Sequence, residues 1–206
     1  HPVPDRNGMV AASRMLKIAS GLKENDTVLC LISGGGSSLL SLPAPGICLE
    51  HKQEITSELL KSGATIHEIN TVRKHLSAIK GGRLAIACYP AKLITLLISD
   101  VSGDDIEVIA SGPTVGDLST FSDAINVLKK YKITKPKTVL EYLKNAKDET
   151  PKPGDSRLEN VENFLIATSR QSLEEAAKFA EKAGIIPFIL SDSVQGESRK
   201  VAIAHS

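Results

Sequence analysis

The run Val28-Leu29-Cys30-Leu31-Ile32 empties without a break into Ser33-Gly34-Gly35-Gly36-Ser37-Ser38 and then Leu39-Leu40. A short, unbroken apolar run ending in a glycine-rich turn constrains this chain more than any other feature. Strands covered on both faces read as continuous apolar runs, whereas strands with one wet face alternate. The runs at 93–98, 164–167 and 187–190 have the same character. The segments between them carry helical spacing. Met9, Ala12, Leu16 and Ala19 form one stripe, and Ile55, Leu59 and Leu60 form a second, closed by Gly63. Ile66, Ile69, Val72, Leu76 and Ile79 extend a third up to Gly81-Gly82. Thr120 and Asp123 open a helix through Leu128, and Pro136 starts another through Leu143. Ser172-x-x-Glu175 reads as a capping box ahead of Ala176, Ala177 and Ala180, with Gly184 ending that helix. Strand alternating with helix predicts an α/β fold, a doubly wound and mostly parallel sheet with helices on both faces.

Composition narrows the function. The 206 residues are 41% hydrophobic and 24% charged, which suits one domain or at most two small ones. The net charge of +1 gives no electrostatic footprint for nucleic acid or a membrane surface. Aromatics at 3% with no Trp exclude a base-stacking platform. Cys30, Cys48 and Cys88 are odd in number and far apart, as expected of a reducing, cytoplasmic setting. No apolar stretch is long enough to span a bilayer, and no signal-peptide core stands at the start. The chain begins at His1 and stops at Ser206 within a helical pattern, which predicts a fragment. The irregular stretch 146–160, with Pro151, Pro153 and Gly154, reads as a surface excursion within a single α/β domain over 1–206.

Loops at the carboxyl ends of parallel strands are where α/β folds bind ligands. The Ser33–Ser38 turn stands at such an end. Its glycines let several backbone N–H groups converge, and the hydroxyls of Ser37 and Ser38 add donors, a cradle for phosphate or carboxylate. The same residues also serve a packing turn. The P-loop lysine, the third glycine of a dinucleotide fingerprint and the last glycine of a nucleophile elbow are all missing. Asp100 ends the run at 93–98, with Asp104 and Asp105 close behind, which suits Mg²⁺ shared with substrate phosphates. An Asx-turn at Asp100 and a helix cap at Asp104 or Asp105 are the plainer alternatives. On a helix, Arg73 and Lys80, seven residues apart, share a face with Asn70 or Ser77 that could hold an anionic group, or simply face water. Ser111 and Thr114, in Ile109-Ala110-Ser111-Gly112-Pro113-Thr114, stand as a second pair of donors or as part of a turn.

Together these pieces resemble the class II glycerate kinases, the family associated with the MOFRL domain. The matching stretches are HPVPD at 1–5, LISGGGSSLL at 31–40, INTVRKHLSAIKGGRLA at 69–85, SDVSGDD at 99–105, IASGPT at 109–114, TPKPGD at 150–155 and GES at 196–198. They occur in family order across nearly the whole chain. The resemblance implies a Rossmann-like domain facing a second domain across a cleft. It implies phosphorylation of D-glycerate by ATP with Mg²⁺, 2-phosphoglycerate being the favoured product. Family members are longer, with a lysine-bearing segment before HPVPD and an arginine-bearing C-terminal domain, so the fragment is expected to be inactive alone. A homodimer is the assembly kept in view. On this reading Asp100, Arg73 and Lys80 are catalytic, and Ser33, Gly34, Gly35, Gly36, Ser37, Ser38, Asn70, Ser111 and Thr114 bind phosphate or substrate. Asp100 and Asp104 are the metal ligands. The rivals are an NAD(P)-dependent hydroxypyruvate reductase, a serine hydrolase using Ser37, and a non-catalytic anion-binding module.

Overall fold

Three of the four apolar runs pair as strands. In a computed structural model describing residues 4–145, 147–194 and 198–205, β1 (Thr27–Ile32), β2 (Lys92–Ile98) and β3 (Val161–Ala167) form a parallel sheet in the order β1-β2-β3. Val28 stands opposite Leu93, and Leu93 opposite Val161. The α/β class holds. His1, Pro2 and Val3 of the first family motif and Gly196-Glu197 of the last lie outside the described residues.

The fourth run, at 187–190, is not a strand. Pro187 has no N–H to give a ladder, and the run lies irregularly beside Leu173, Ala176 and Ala177, with Phe188 and Leu190 exposed. Apolar character alone did not distinguish a strand from a segment that never reaches a sheet edge.

The inner face of the sheet carries the packing. α1 (Arg6–Ala19) is N-capped by Asp5, which accepts from Gly8 N at 2.8 Å. Its Ala12 and Ala19 join Leu84, Ala85 and Cys88 of α5 (Arg83–Cys88), Ile79 and Leu93 in one cluster. A second cluster is helical: α3 (Leu49–Lys61), α4 (Ile66–His75), α6 (Phe121–Lys130) and α7 (Lys137–Asn145) meet through Ile55, Leu59, Val72, Leu128 and Leu143. Reciprocal caps start two of them, Thr65 with Glu68 and Thr120 with Asp123. The other sheet face is apolar but open, with Leu29, Leu31, Phe164 and Ile166 exposed, and α8 (Ser169–Lys182) buries none of its residues.

Two helix boundaries differ from expectation. The third stripe ends at His75 instead of running to Ile79, because Ser77 turns its hydroxyl back to accept from Ile79 N and Lys80 N. Such a side chain competes with the helix for backbone donors. α8 begins three residues before the expected cap, with Thr168 and Gln171 forming the box directly after β3.

The stretch 106–114 is irregular yet buried. Its single 3₁₀ turn, Ile109–Ser111, packs Ile109 against Ile32 and Leu97 at the carboxyl ends of β1 and β2. Glycines let the neighbouring turn approach it, since Gly81 N donates to Ser111 O at 3.2 Å and Gly82 N to Gly112 O at 2.7 Å. Gly82 has φ +79°, and a Cβ there would lie 2.7 Å from both Val115 O and Pro151 Cγ. Gly82→Ala therefore carries strain and a clash, and should destabilise by on the order of 2 kcal/mol or more. Gly154→Ala, at φ +90° with open space around it, should lose only about 1 kcal/mol. Urea denaturation of both variants checks the ranking, and equal losses would refute the close approach.

Candidate active site

The turn after β1 owes its glycines to what lies against it. A Cβ on Gly34 would stand 2.7 Å from Asp100 Oδ2, and one on Gly36 2.7 Å from Ala110 Cβ. Gly35, at φ +84°, starts the one-turn α2 (Gly36–Leu39). The bare backbone of the turn thus lies directly on the loops that follow β2. Ser37 Oγ is 3.2 Å from Ser111 Oγ, and Ser111 donates to Asn70 Oδ1 at 3.1 Å. Since Ser111 has one proton and gives it to Asn70, Ser37 donates to Ser111. Ser38 donates to Gly35 O at 3.2 Å. Ser37 pairs with another serine and not with a histidine, so this geometry offers no base for a serine nucleophile.

Ala110, Ser111 and Gly112 are consecutive left-handed residues, at φ 53°, 63° and 58°. Two of them carry side chains, a local cost that persists only where the surroundings enforce it. Lys80 is part of that enforcement. Its Nζ donates to Ala110 O at 2.9 Å and to Gly36 O at 3.3 Å, and the side chain is fully buried. Burial, and then the charges of Lys52 and Arg73, push its ammonium well below the usual lysine range. Even as a neutral amine Lys80 keeps two N–H groups for its two carbonyls. It reaches this place from the turn after α4, not from the helix face shared with Arg73 that the spacing predicts.

Around Lys80 the cations gather without a carboxylate partner. Lys52 of α3 is 5% exposed, and its Nζ has no hydrogen-bond partner among the described residues. Burial, and secondarily Arg73, pull its pKa down to about 7. Arg73 is half-buried, makes no hydrogen bond or ion pair among the described residues, and is lowered by burial. Asn70 accepts from Ser111, but its Nδ2, also buried, finds no acceptor.

On the acidic side, Ser99 makes the turn after β2 by accepting from Val101 N at 3.2 Å. Asp100 is therefore exposed and makes no hydrogen bond among the described residues, the Asx-turn alternative being taken by its neighbour. Asp105 accepts from Glu107 N at 2.9 Å in a turn, Asp104 sits at φ 55°, and neither caps a helix, since the 3₁₀ turn that follows begins after Val108 with no side-chain cap. Among the described residues no three His, Cys, Asp or Glu side chains gather as a metal group. Thr114 is committed elsewhere: its hydroxyl donates to Asn163 Oδ1 at 2.8 Å and ties the loop to β3. A cleft of about 500 Å³ opens beside the turn, lined by Asp5, Met15, Ile32, Gly34, Gly36 and Ala110.

Sequence reasoning missed Lys52 and the pair Lys74–Asp117. Lys52 precedes Ile55 and Leu59 by three and seven residues, so it stands on the apolar stripe of α3. A lysine on the buried stripe of an amphipathic helix is a signal legible without coordinates. Lys74 Nζ lies 3.2 Å from the buried Asp117 Oδ1. Burial alone would raise the Asp117 carboxyl, but the Ser119 hydroxyl and Lys74 outweigh it and hold it below the usual range.

Known proteins are similar to this chain in sequence and in fold. The family model described as a domain of unknown function, DUF4147, matches residues 1–144. A D-glycerate 2-kinase of Thermotoga maritima is 48% identical over 97% of this chain, which spans 46% of that protein. A protein of Agrobacterium vitis, provisionally named a hydroxypyruvate reductase, is 49% identical over 98% of the chain, which spans 45% of it. The crystal structure of a glycerate kinase from Thermotoga maritima superposes with a TM-score of 0.80 at 50% identity, covering 89% of this chain and 43% of that one. The chain thus spans about half or less of the length of the relatives it matches, and the resemblance to class II glycerate kinases holds along almost all of it. With 144 of its 206 residues matched by the family model, the chain belongs to the DUF4147 family.

Proposed function

We propose that the protein carrying this chain is an ATP-dependent D-glycerate kinase, and that this chain supplies one α/β domain of a two-domain cleft. The observation that carries the reading is the convergence of the Ser33–Ser38 turn, Asp100 and the Asn70–Arg73–Lys80 group at the carboxyl end of the sheet. Glycerate kinases among its relatives, at identities near one half, support the same reaction. The free state of Cys30, Cys48 and Cys88 supports a cytoplasmic setting. Among the described residues no helix is long and apolar enough to cross a membrane.

Phosphoryl transfer asks a protein for positioning and charge compensation more than for covalent chemistry. A hydroxyl oxygen of D-glycerate bonds to the γ-phosphorus of ATP, the bond from phosphorus to the ADP oxygen breaks, and the hydroxyl proton departs. Asp100, without a hydrogen-bond partner among the described residues, orients that hydroxyl or holds the metal ion, and the proton leaves to water. The exposed backbone of the Ser33–Ser38 turn and Arg73 hold anionic oxygens, with Ser37 turning its O–H outward when an anion arrives. Lys80 locks the turn to the strained loop. Magnesium fits here, because it commonly binds through one or two carboxylates plus substrate phosphates, and Asp100 stands unpaired over a glycine backbone that a Cβ would block. Asp104 is the second candidate ligand. The ion would supply charge neutralisation between phosphate oxygens.

An ADP-release assay with Mg²⁺, ATP and D-glycerate, on a protein carrying this chain over the length its relatives span, should show turnover dependent on both substrates. NADH should not be consumed with hydroxypyruvate; consumption would favour the reductase. Arg73→Ala and Asp100→Ala should each lower kcat/KM by ~100-fold or more at little cost to folding. Lys80→Met should lower activity and also melting temperature, because it leaves the buried Ala110 carbonyl without its donor and leaves Gly36 O with only Leu40 N. Normal turnover in the Arg73 and Asp100 variants would remove their roles.

A further inference from the structure

A buried amine that finds no acceptor is costly unless something absent from the folded chain completes it. Lys52 Nζ and Asn70 Nδ2 are both in that position. Arg73 makes no ion pair among the described residues, and the cations are near enough to disfavour one another's charge. Elsewhere the fold does pair its buried lysine: Lys74 has Asp117 at 3.2 Å and Glu107 at 3.7 Å. The pattern around Lys52 is therefore local. Three separate elements supply it: α3 brings Lys52, α4 brings Asn70 and Arg73, and the turn after α4 brings Lys80. Lys80 is already spent on two carbonyls, which leaves Lys52, Asn70 Nδ2 and Arg73 with donors to give.

We infer that Lys52, Asn70 and Arg73 form a subsite for a small oxyanion, in which Lys52 is an anion-holding residue. The inference deepens the kinase reading and rests on it only for which substrate brings the oxyanion. The chemistry recognised is a compact, negatively charged group of oxygens, whether a carboxylate or a phosphate. Binding restores charge balance among the cations and gives the orphaned Lys52 Nζ and Asn70 Nδ2 their acceptors. Arg73, the most solvent-facing member, closes the subsite. The charged groups facing Lys52 are Arg73 from α4 and Lys80 from the following turn, both cations. In the ligand-free chain a charged Lys52 thus costs stability at acidic pH, a cost relieved as the pH rises from about 7 toward the ordinary lysine value of 10.5.

Calorimetric titration of this chain with inorganic phosphate and, separately, with D-glycerate tests the subsite and shows which anion it prefers. Lys52→Met should weaken binding of the preferred anion by about tenfold or more. In the absence of anion its melting temperature should equal or exceed that of the wild type, with a larger gain at pH 6 than at pH 9. Lys61→Met, at an exposed position of the same helix, should change neither. Binding by Lys52→Met within roughly twofold of the wild type, no binding of either anion by the wild type, or a lower melting temperature for Lys52→Met would each overturn the inference. Lys52-dependent anion binding in a protein that releases no ADP would leave the subsite standing and remove the kinase reading. Glycerate-dependent ADP release with unchanged anion binding in Lys52→Met would do the reverse.

Discussion

The buried side chain of Lys80 holds the two halves of the site together. Its Nζ spans from the carbonyl of Gly36, in the turn after β1, to that of Ala110, in the loop after β2. Without it, the buried Ala110 carbonyl would lose its donor, and the left-handed run at Ala110, Ser111 and Gly112 would lose one of the contacts that enforces it. Surrounding features follow from this strap. Gly36 must lack a Cβ to lie on Ala110, Gly34 must lack one to lie on Asp100, and Gly81-Gly82 must be left-handed for their N–H groups to reach Ser111 and Gly112.

That arrangement explains why so polar a region can be so well buried. Ser37, Ser111 and Asn70 form one directed chain of hydrogen bonds, and Lys74 is neutralised by Asp117. What is left over is of one sign on each side. Asp100 stands free at the strand tip, and Lys52, Arg73 and Asn70 Nδ2 stand free behind the loop. A site with unspent donors on one side and an unspent carboxylate on the other is suited to anionic substrates that also carry a hydroxyl.

Much of the fold was legible because burial leaves a period in the chain. The strands β1, β2 and β3, the stripes of α1, α3, α6 and α7, and the Thr120–Asp123 cap follow from local spacing and chemistry. Where the reading failed, a local pattern had more than one outcome. Pro187 to Leu190 is apolar but joins no sheet, and the stripe through Ile79 was cut short by one serine hydroxyl. Thr114 read as an anion donor or as part of a turn, and the partner its hydroxyl takes, Asn163, lies 49 residues away, out of reach of local spacing.

The chain by itself determined the α/β class, the glycine turn and the Asp100 carboxylate at strand ends, and the family to which it belongs. Those depend on residue type, spacing along one segment, and the order of motifs. Only the tertiary structure decided that Lys80 is a strap instead of a helix-face cation, that Lys52 is buried with nothing to bond, and that Ser37 meets Ser111 and Asn70. The physical reason is that a hydrogen bond or a desolvated charge belongs to the meeting of elements distant in sequence. The sequence names one partner in each such meeting, and the packing supplies the other.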